Sequence, residues 1–317
     1  LRRVAERGAE IAAGQDPVRL NIPEWLWKRW SVAYGDDTVR QIAEASLREA
    51  PLDVTVKSDA EGWSRRLGGV LLPTGSIRLV PEGRIENLPG FEDGAWWVQD
   101  AAAALPAKLL GGVAGKQVAD LCAAPGGKTA ELAAAGAHVT AVEVDPKRIE
   151  RLNANMARLQ LEAEIVEADA AEWQPGTRFD DVLLDAPCLS TGTIRRHPDI
   201  LHLKRESDLE RLITLQARLL DNAARLVKPG GLLVYCTCSL EPEEGPQQIE
   251  RFLSRTDEFE RVAVQPGEAG IAAEWITADG DLRTFPFHMP LEPEALSGMD
   301  GFYAARLRRR SGGVAAE

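Results

Sequence analysis

The spacing of apolar and polar positions changes near residue 95, and beyond it strand-like and helix-like segments alternate. Short apolar runs predict strands at residues 117–121, 138–144, 164–167, 180–185, 232–236 and 302–307. Helical periodicity predicts helices at residues 101–110, 129–135, 147–159, 208–227 and 246–253. This alternation implies an α/β fold built on a parallel sheet with right-handed crossovers. We expect one domain over residues 95–310, with no element placed between 254 and 301.

The longest predicted helix has signals at both of its ends. Ser207 and Glu210 have the spacing of a capping box, which predicts a start at Asp208. The Lys-Pro-Gly-Gly run at residues 228–231 predicts where the helix stops.

Residues 21–94 predict a small α+β domain of a type that binds RNA. Its segments are helices at 23–30 and 36–48 and strands at 52–56, 69–72 and 76–79. Residues 1–20 are expected to be a tail or the end of a preceding domain, since the chain begins with Leu1. Residues 311–317 are expected to be a second tail.

Composition and charge narrow the functional classes. The chain has 317 residues, 44% apolar and 27% charged, which is ordinary for a globular protein. A net charge of −12 argues against a whole surface built for nucleic acid, but it allows a local basic patch. Four cysteines without regular spacing predict a reducing cytoplasm, and no apolar run approaches the roughly 20 residues that span a bilayer.

A glycine turn between strand 117–121 and helix 129–135 is the first candidate site. A phosphate-binding Walker loop would end as Gly127-Lys128-Thr129 does, but Cys122 stands where its first glycine belongs. The G-x-G-x-x-G pattern of dinucleotide binding is also missing from this turn. Of the three ligand classes that use such a turn, only a nucleoside cofactor without a pyrophosphate remains.

Two acids follow the turn in the order that such a cofactor requires. Glu143 ends the second strand, where a carboxylate accepts hydrogen bonds from a ribose. Asp169 follows the third strand, where it can meet an adenine amino group. Together with the turn, these residues suit S-adenosylmethionine.

Cys188 and Cys238 close the fourth and fifth predicted strands. Ligands of an open parallel sheet bind beyond the carboxyl ends of its strands, so the two thiols meet there if these strands are neighbours. A thiol becomes a nucleophile when its pKa is lowered or a base is near. We expect Cys122 and Cys236 to be small buried apolar side chains. The spacing fits no zinc motif, and we expect neither a metal nor a disulfide.

Four stretches, taken in order, carry a family resemblance. They are DLCAAPGGKT at 120–129, DAPC at 185–188, IRRHPDI at 194–200 and TCS at 237–239. The set resembles the Fmu/Sun family of RNA (cytosine-C5) methyltransferases, of the ribosomal small-subunit type. Segments WVQD at 97–100 and DGFY at 300–303 are similar to that family too, so the likeness covers residues 22–310.

The resemblance implies a Rossmann-like methyltransferase sheet and a covalent mechanism. Cys238 would attack C6 of the target cytosine, which makes C5 electron-rich enough to accept a methyl group. Cys188 would serve the elimination that releases the product. Asp185 would hydrogen-bond N3 and the exocyclic amine of the base. The residues expected to hold the cofactor are Cys122, Ala123, Ala124, Pro125, Gly126, Gly127, Lys128, Glu143, Arg148, Asp169 and Asp185.

RNA is the expected partner, ribosomal RNA first and transfer RNA as an alternative. Arg195, Arg196 and His197 stand where an RNA backbone could pass, and the arginines at 306 and 308–310 form a second basic cluster. We expect a cytoplasmic monomer that binds no membrane. Members of this family often carry a further N-terminal helical domain that binds RNA.

The sequence departs from the family at two positions and leaves two other functions open. Leu189 is bulky where the family has a small residue, and Cys236 replaces a small residue without a thiol. One alternative function is an RNA-binding assembly factor that keeps the fold without catalysis. The other is a methyltransferase acting on a protein or a small molecule.

Overall fold

A computed structural model of the protein describes residues 2–311, so the predicted tail at 311–317 lies almost wholly outside the described residues. The helices are α1 (Arg2–Ala13), α2 (Pro17–Leu20), α3 (Glu24–Tyr34), α4 (Asp36–Ser46), α5 (Ala60–Leu67), α6 (Ala101–Lys108), α7 (Gly127–Ala134), α8 (Pro146–Leu159), α9 (Ile200–Leu203), α10 (Glu206–Leu226) and α11 (Pro246–Leu253). The strands are β1 (Leu52–Val56), β2 (Val70–Leu71), β3 (Ile77–Leu79), β4 (Trp96–Val98), β5 (Gln117–Leu121), β6 (His138–Glu143), β7 (Glu164–Glu167), β8 (Phe179–Asp185), β9 (Val227–Thr237), β10 (Phe259–Arg261), β11 (Leu282–Thr284) and β12 (Phe302–Arg309). Among residues 2–311, no helix is long and apolar enough to cross a membrane.

The larger sheet has the strand order β10-β12-β9-β8-β5-β6-β7, with β11 paired to β12. Strands β5 to β9 are parallel, which confirms the predicted α/β class. The chain runs outward from β5 through β6 to β7, and then returns to place β8 on the other side of β5. The switch point of this doubly wound sheet therefore lies between β5 and β8.

The unplaced segment at 254–301 completes the far edge of this sheet. Its two strands, β10 and β11, both pair with β12, and β12 runs antiparallel to β9. These two strands are short, and their apolar and polar residues show no clear alternation. They form because they pair with β12, so their own sequence does not predict them.

Helix α10 begins two residues before its predicted start and ends one residue before its predicted end. The helix begins at Glu206, where the side chain of Asp208 accepts a hydrogen bond from the backbone of Arg205 at 3.0 Å. Asp208 therefore caps the helix in place of the expected Ser207 and Glu210. At the other end, strand β9 follows at once and contains the Lys-Pro-Gly-Gly run that was expected to be a stop.

The N-terminal part forms a four-stranded antiparallel sheet in the order β2-β3-β1-β4. Helices α3 and α4 bury an apolar cluster that includes Leu26 and Trp30. The same cluster contains Ile194 and Leu240, which follow strands of the larger sheet. These helices thus pack on the surface that lies close to the expected catalytic loops.

A buried guanidinium joins the smaller sheet to the rest of the chain. Arg78 on β3 is fully buried and its Nε lies 2.6 Å from Oδ1 of Asp53 on β1. It also donates to the carbonyl oxygens of Leu296, at 2.8 Å, and Gly298. Asp53 in turn accepts the backbone N–H of Ala101, at the start of α6.

Replacing Arg78 by Met should destabilise the protein by about 3–5 kcal/mol, because the Asp53 carboxylate would remain buried without its partner. The free energy of unfolding in urea measures this loss. Arg218→Met is the matched control, since its ion pair with Glu172 is exposed and is worth about 0–1 kcal/mol. Equal losses in the two variants would contradict the assigned role of Arg78.

Candidate active site

The glycine turn connects β5 to α7 at the switch point. Gly126 has a φ of 102° and precedes the first residue of α7. The left-handed backbone conformation requires glycine here, and a Cβ would also lie 2.5 Å from Cδ1 of Leu152 on α8, which would have to move. Thr129 ties the turn to β5 by donating to Asp120 at 2.6 Å.

Glu143 lies on one side of this turn, at the end of β6. It is 2% exposed and accepts backbone N–H bonds from Val144 at 3.0 Å, Asp145 at 3.2 Å and Ala124 at 3.3 Å. Arg148 Nη1 lies 3.3 Å from the same carboxylate, and Arg148 also donates to the carbonyl of Ala124. A carboxylate has about four acceptor positions and the three backbone N–H groups occupy three of them, so Glu143 keeps one position for a further donor beside its ion pair with Arg148.

A cavity of about 200 Å³ opens beside Glu143. Its polar walls include Arg148 and Asp169, and its apolar walls include Val144, Leu215 and Leu219. Two acids beside an apolar slot fit the ribose and the adenine of S-adenosylmethionine. Cys122 also lines this slot, where burial raises the pKa of its thiol and keeps it protonated.

A second cavity, of about 280 Å³, is lined by residues of the turn, and we call it the reaction cavity. The lining residues from the predicted set are Ala123, Ala124, Pro125, Gly127, Lys128, Asp185, Arg196 and Cys238. The turn thus lines the chamber that contains the thiol of Cys238, and Cys122, at its start, lines the slot beside Glu143.

The two cysteine sulfurs meet at this chamber. Pairing of β8 with β9 places Asp185 opposite Cys236, and the Sγ atoms of Cys188 and Cys238 lie 3.6 Å apart. That separation is a hydrogen-bonding contact, well beyond the roughly 2.05 Å of a disulfide, and both thiols are free. Hydrogen bonding from Cys188 lowers the pKa of Cys238, whereas the same bond and burial raise the pKa of Cys188.

Lys128 and Asp185 form the charged wall of the reaction cavity. Nζ of Lys128 lies 2.7 Å from Oδ2 of Asp185 and 5.1 Å from the centre of the Phe302 ring. Burial acts against the charged form of Lys128, but the neighbouring Asp185 carboxylate raises its pKa above the ordinary value. The cation therefore persists beside Cys238 and contributes to the lowered pKa of that thiol.

The three basic residues at 195–197 separate in the structure. Arg195 is buried and donates to Asp100 at 3.1 Å, so its side chain does not face an RNA backbone as expected. Arg196 lines the reaction cavity, and its Nε donates to Asp300 at 3.1 Å with 35% of the side chain exposed. His197 is exposed on the following loop.

The second basic cluster at the C-terminus is largely neutralised by acids. Arg306 is buried against Glu268, Arg309 pairs with Glu258, and Arg310 lies 3.4 Å from Glu260. Arg308 is exposed.

The two departures from the family leave the reaction cavity intact. Leu189 is fully buried and packs with Leu209 and Leu212 of α10, away from the chamber. Cys236 is fully buried, as expected, with its Sγ 3.7 Å from Oδ1 of Asp185.

Two cavity residues had no assigned role in the sequence analysis. Asp100 and Asp300 both line the chamber, and each binds one of the arginines at 195 and 196. The family segments at 97–100 and 300–303 were the signal that could have identified them.

The fold and the site define the class of a Rossmann-like methyltransferase. A crystal structure of a methyltransferase homolog protein from Pyrococcus horikoshii is 27% identical, with a TM-score of 0.74, and the alignment covers 92% of this chain and 97% of that one. This likeness confirms the predicted fold class.

Residues 107–308 match the family described as 16S rRNA methyltransferase RsmB/F, and the chain belongs to that family. Ribosomal RNA small subunit methyltransferase B of Vibrio cholerae is 38% identical over 276 residues, which cover 82% of this chain and 63% of the relative. The enzyme of the same name from Shewanella oneidensis is 34% identical over 321 residues, with 97% of this chain and 71% of the relative covered. The chain therefore spans about two thirds of the length of these relatives, and the resemblance to the Fmu/Sun family is confirmed.

Replacing Cys188 by Ala should raise the pKa of Cys238, because the thiol that donates to its thiolate is removed. The rate of Cys238 alkylation by iodoacetamide, followed peptide by peptide against pH, measures this shift. We expect slower alkylation near pH 7 and a midpoint at higher pH. Cys122→Ala is the control, and an unchanged midpoint in Cys188→Ala would contradict the assigned donor.

Proposed function

We propose that this protein transfers a methyl group from S-adenosylmethionine to C5 of a cytosine in RNA, with small-subunit ribosomal RNA as the substrate. The observation that carries the proposal is the contact between Cys188 and Cys238 at the switch point, beside Lys128 and Asp185. Such a pair supplies an activated thiolate together with its own hydrogen-bond donor. The names of the relatives support ribosomal RNA over transfer RNA.

In the proposed reaction, the Cys238 thiolate forms a bond to C6 of the cytosine. Electrons of the C5=C6 double bond then make C5 nucleophilic, while the Asp185 carboxylate accepts from the exocyclic amine and the Lys128 cation stabilises the negative charge that develops near N3. S-adenosylmethionine, held by Glu143, Asp169 and the turn, supplies an electrophilic methyl group when it is bound. A target base inside a helix must first leave its stack, at a cost of a few kcal/mol.

Product release requires that the bond between Cys238 and the base be broken. The C5 proton passes to water, the C5=C6 double bond forms again, and the bond from C6 to Sγ of Cys238 breaks. Cys188 hydrogen-bonds the departing sulfur, which makes Cys238 a better leaving group. The positive charge of Arg196 at the cavity mouth, with His197 beside it, supports a contact with the RNA backbone.

We further propose that residues 95–310 form the catalytic domain and that residues 21–94 help to bind RNA; β4 (Trp96–Val98), which lies beyond this boundary, completes the smaller sheet by pairing with β1. Val98 and Asp100, which connect the two, line the reaction cavity. A monomer acting in the cytoplasm, where ribosomal RNA is modified and assembled, fits these roles.

Cys238→Ala should abolish methylation of RNA by labelled S-adenosylmethionine, because the neighbouring thiol of Cys188 is buried and its pKa is raised, so it does not replace the nucleophile. Cys188→Ala should instead accumulate as a covalent complex with RNA, which runs as a heavier band on a denaturing gel. Undiminished methylation by Cys238→Ala would exclude it as the nucleophile. Free turnover by Cys188→Ala would exclude its role in release.

Glu143→Ala should weaken binding of S-adenosylmethionine by about ten- to a hundredfold, since one charged hydrogen-bond acceptor is worth about 1.5–3 kcal/mol. Calorimetric titration measures the dissociation constant. Glu167→Ala removes an exposed carboxylate at the end of β7 and should leave the dissociation constant of S-adenosylmethionine unchanged. If the unaltered protein binds no cofactor, a non-catalytic assembly factor becomes the better explanation.

Mapping of methylated cytosines by bisulfite sequencing, in cells with and without the gene, identifies the RNA. Sites lost only from the small-subunit ribosomal RNA support the proposal. Sites lost only from transfer RNA would exclude the ribosomal assignment.

A further inference from the structure

Glu244 is a buried acid close to both cysteines that the proposed mechanism does not use. It is fully buried and ends the short 3₁₀ turn Pro242–Glu244, just after the loop that carries Cys238. Both of its carboxylate oxygens lie 3.1 Å from the backbone nitrogen of Leu189, the residue that follows Cys188. The carboxylate therefore fixes the backbone next to one catalytic sulfur.

Glu244 also contacts the strand that leads to the other sulfur. Its backbone carbonyl oxygen accepts from the hydroxyl of Tyr235 at 2.7 Å and from that of Thr237, the residue before Cys238, at 3.5 Å. The two loops are also joined directly, because the N–H of Gly192 donates to the carbonyl oxygen of Cys238 at 2.9 Å. Glu244 thus contacts the residue after Cys188 with its side chain and the residue before Cys238 with its backbone.

Helix α10 supports this arrangement with a buried polar side chain, that of Gln216. Nε2 of Gln216 donates to Glu244 and to the carbonyl oxygen of Pro187, in both cases at 2.8 Å. Gln216 is fully buried and its Oε1 accepts from Gln248 of α11 at 3.3 Å. Residues on both sides of Cys188 are therefore held by one connected network.

The ionisation of Glu244 matters to this network. Burial raises the pKa of its carboxyl to about 7, although the Ser239 hydroxyl, the Leu189 N–H and the Gln216 amide oppose that rise. The ionised form is the one that accepts from both Leu189 and Gln216 without a competing proton. An amide in its place would present an NH₂ group to at least one of them.

We propose that Glu244 is a positioning residue that holds the sulfur of Cys188 in hydrogen-bonding contact with that of Cys238. The proposal rests on the proposed function for its catalytic consequence, which is timely release of the methylated RNA. It assigns Glu244 no contact with the substrate. Loss of its carboxylate would move the Leu189 backbone and weaken the contact between the sulfurs.

The test compares Glu244→Gln with Glu241→Gln. Glu241 is an equally buried glutamate three residues earlier, but its side chain binds Trp30 and Arg29 and does not contact the cysteine loops. Both substitutions disturb a buried network, so a general loss of stability should appear in both. Only Glu244→Gln should change the chemistry of the sulfurs.

The first measurement is the pH dependence of Cys238 alkylation in the absence of RNA. Glu244→Gln should shift the midpoint upward by about half a unit or more, toward the value of Cys188→Ala. Glu241→Gln should keep the midpoint of the unaltered protein. An unchanged midpoint in Glu244→Gln, or an equal shift in Glu241→Gln, would overturn the proposal.

The second measurement is the covalent RNA complex on a denaturing gel. Glu244→Gln should accumulate this complex as Cys188→Ala does, and Glu241→Gln should not; absence of the complex from Glu244→Gln alone would overturn the proposed effect on release. If no protein forms the complex while the alkylation midpoint still shifts, the proposed function fails and the positioning role stands. Should Glu244→Gln fail to fold, Gln216→Met, which removes the donor to Glu244 and Pro187, is measured against the same criteria.

Discussion

The parallel pairing of β5 with β8 is the constraint on which the site depends. Their register places Leu121 opposite Leu184, so the glycine turn and Asp185 begin at the same height on the sheet. The connections leave these strands in opposite directions and open a crevice between them. Lys128, on the first turn of α7, crosses that crevice to reach Asp185. Neither the slot beside Glu143 nor the reaction cavity would exist without this reversal.

Several arginines of this protein form ion pairs with buried aspartates. This pairing explains how a strongly acidic chain keeps the guanidinium of Arg196 at its reaction cavity. Asp53, Asp100 and Asp300 are buried with Arg78, Arg195 and Arg196 in one region between the two sheets. Each acid offsets a cation that would otherwise be costly to bury. Among these six residues, Arg196 keeps the largest exposed fraction of its side chain.

The features that could be predicted from the sequence are those that depend on residues close together along the chain. The glycine turn, Glu143 at the end of β6 and the closing cysteines of β8 and β9 follow from short motifs placed after strands. The burial of Arg195 could not be predicted, because its partner Asp100 lies 95 residues earlier in the chain and contacts it only in the folded protein. The same reason applies to Leu189, whose side chain is directed by packing on α10. It also applies to β10 and β11, which exist because β12 offers them an edge.

The buried guanidinium of Arg78 couples local unfolding of the smaller sheet to that of the rest of the protein. Its partners are a carboxylate of the smaller sheet and two carbonyls of the segment just before Asp300, which lines the reaction cavity. Separation of the smaller sheet would remove the acceptors of this cation and would also leave the N–H of Ala101, at the start of α6, without the Asp53 carboxylate that accepts it. The two sheets therefore belong to one cooperative unit of local unfolding. Amide hydrogens of β3 should exchange with solvent as slowly as those of the cavity wall.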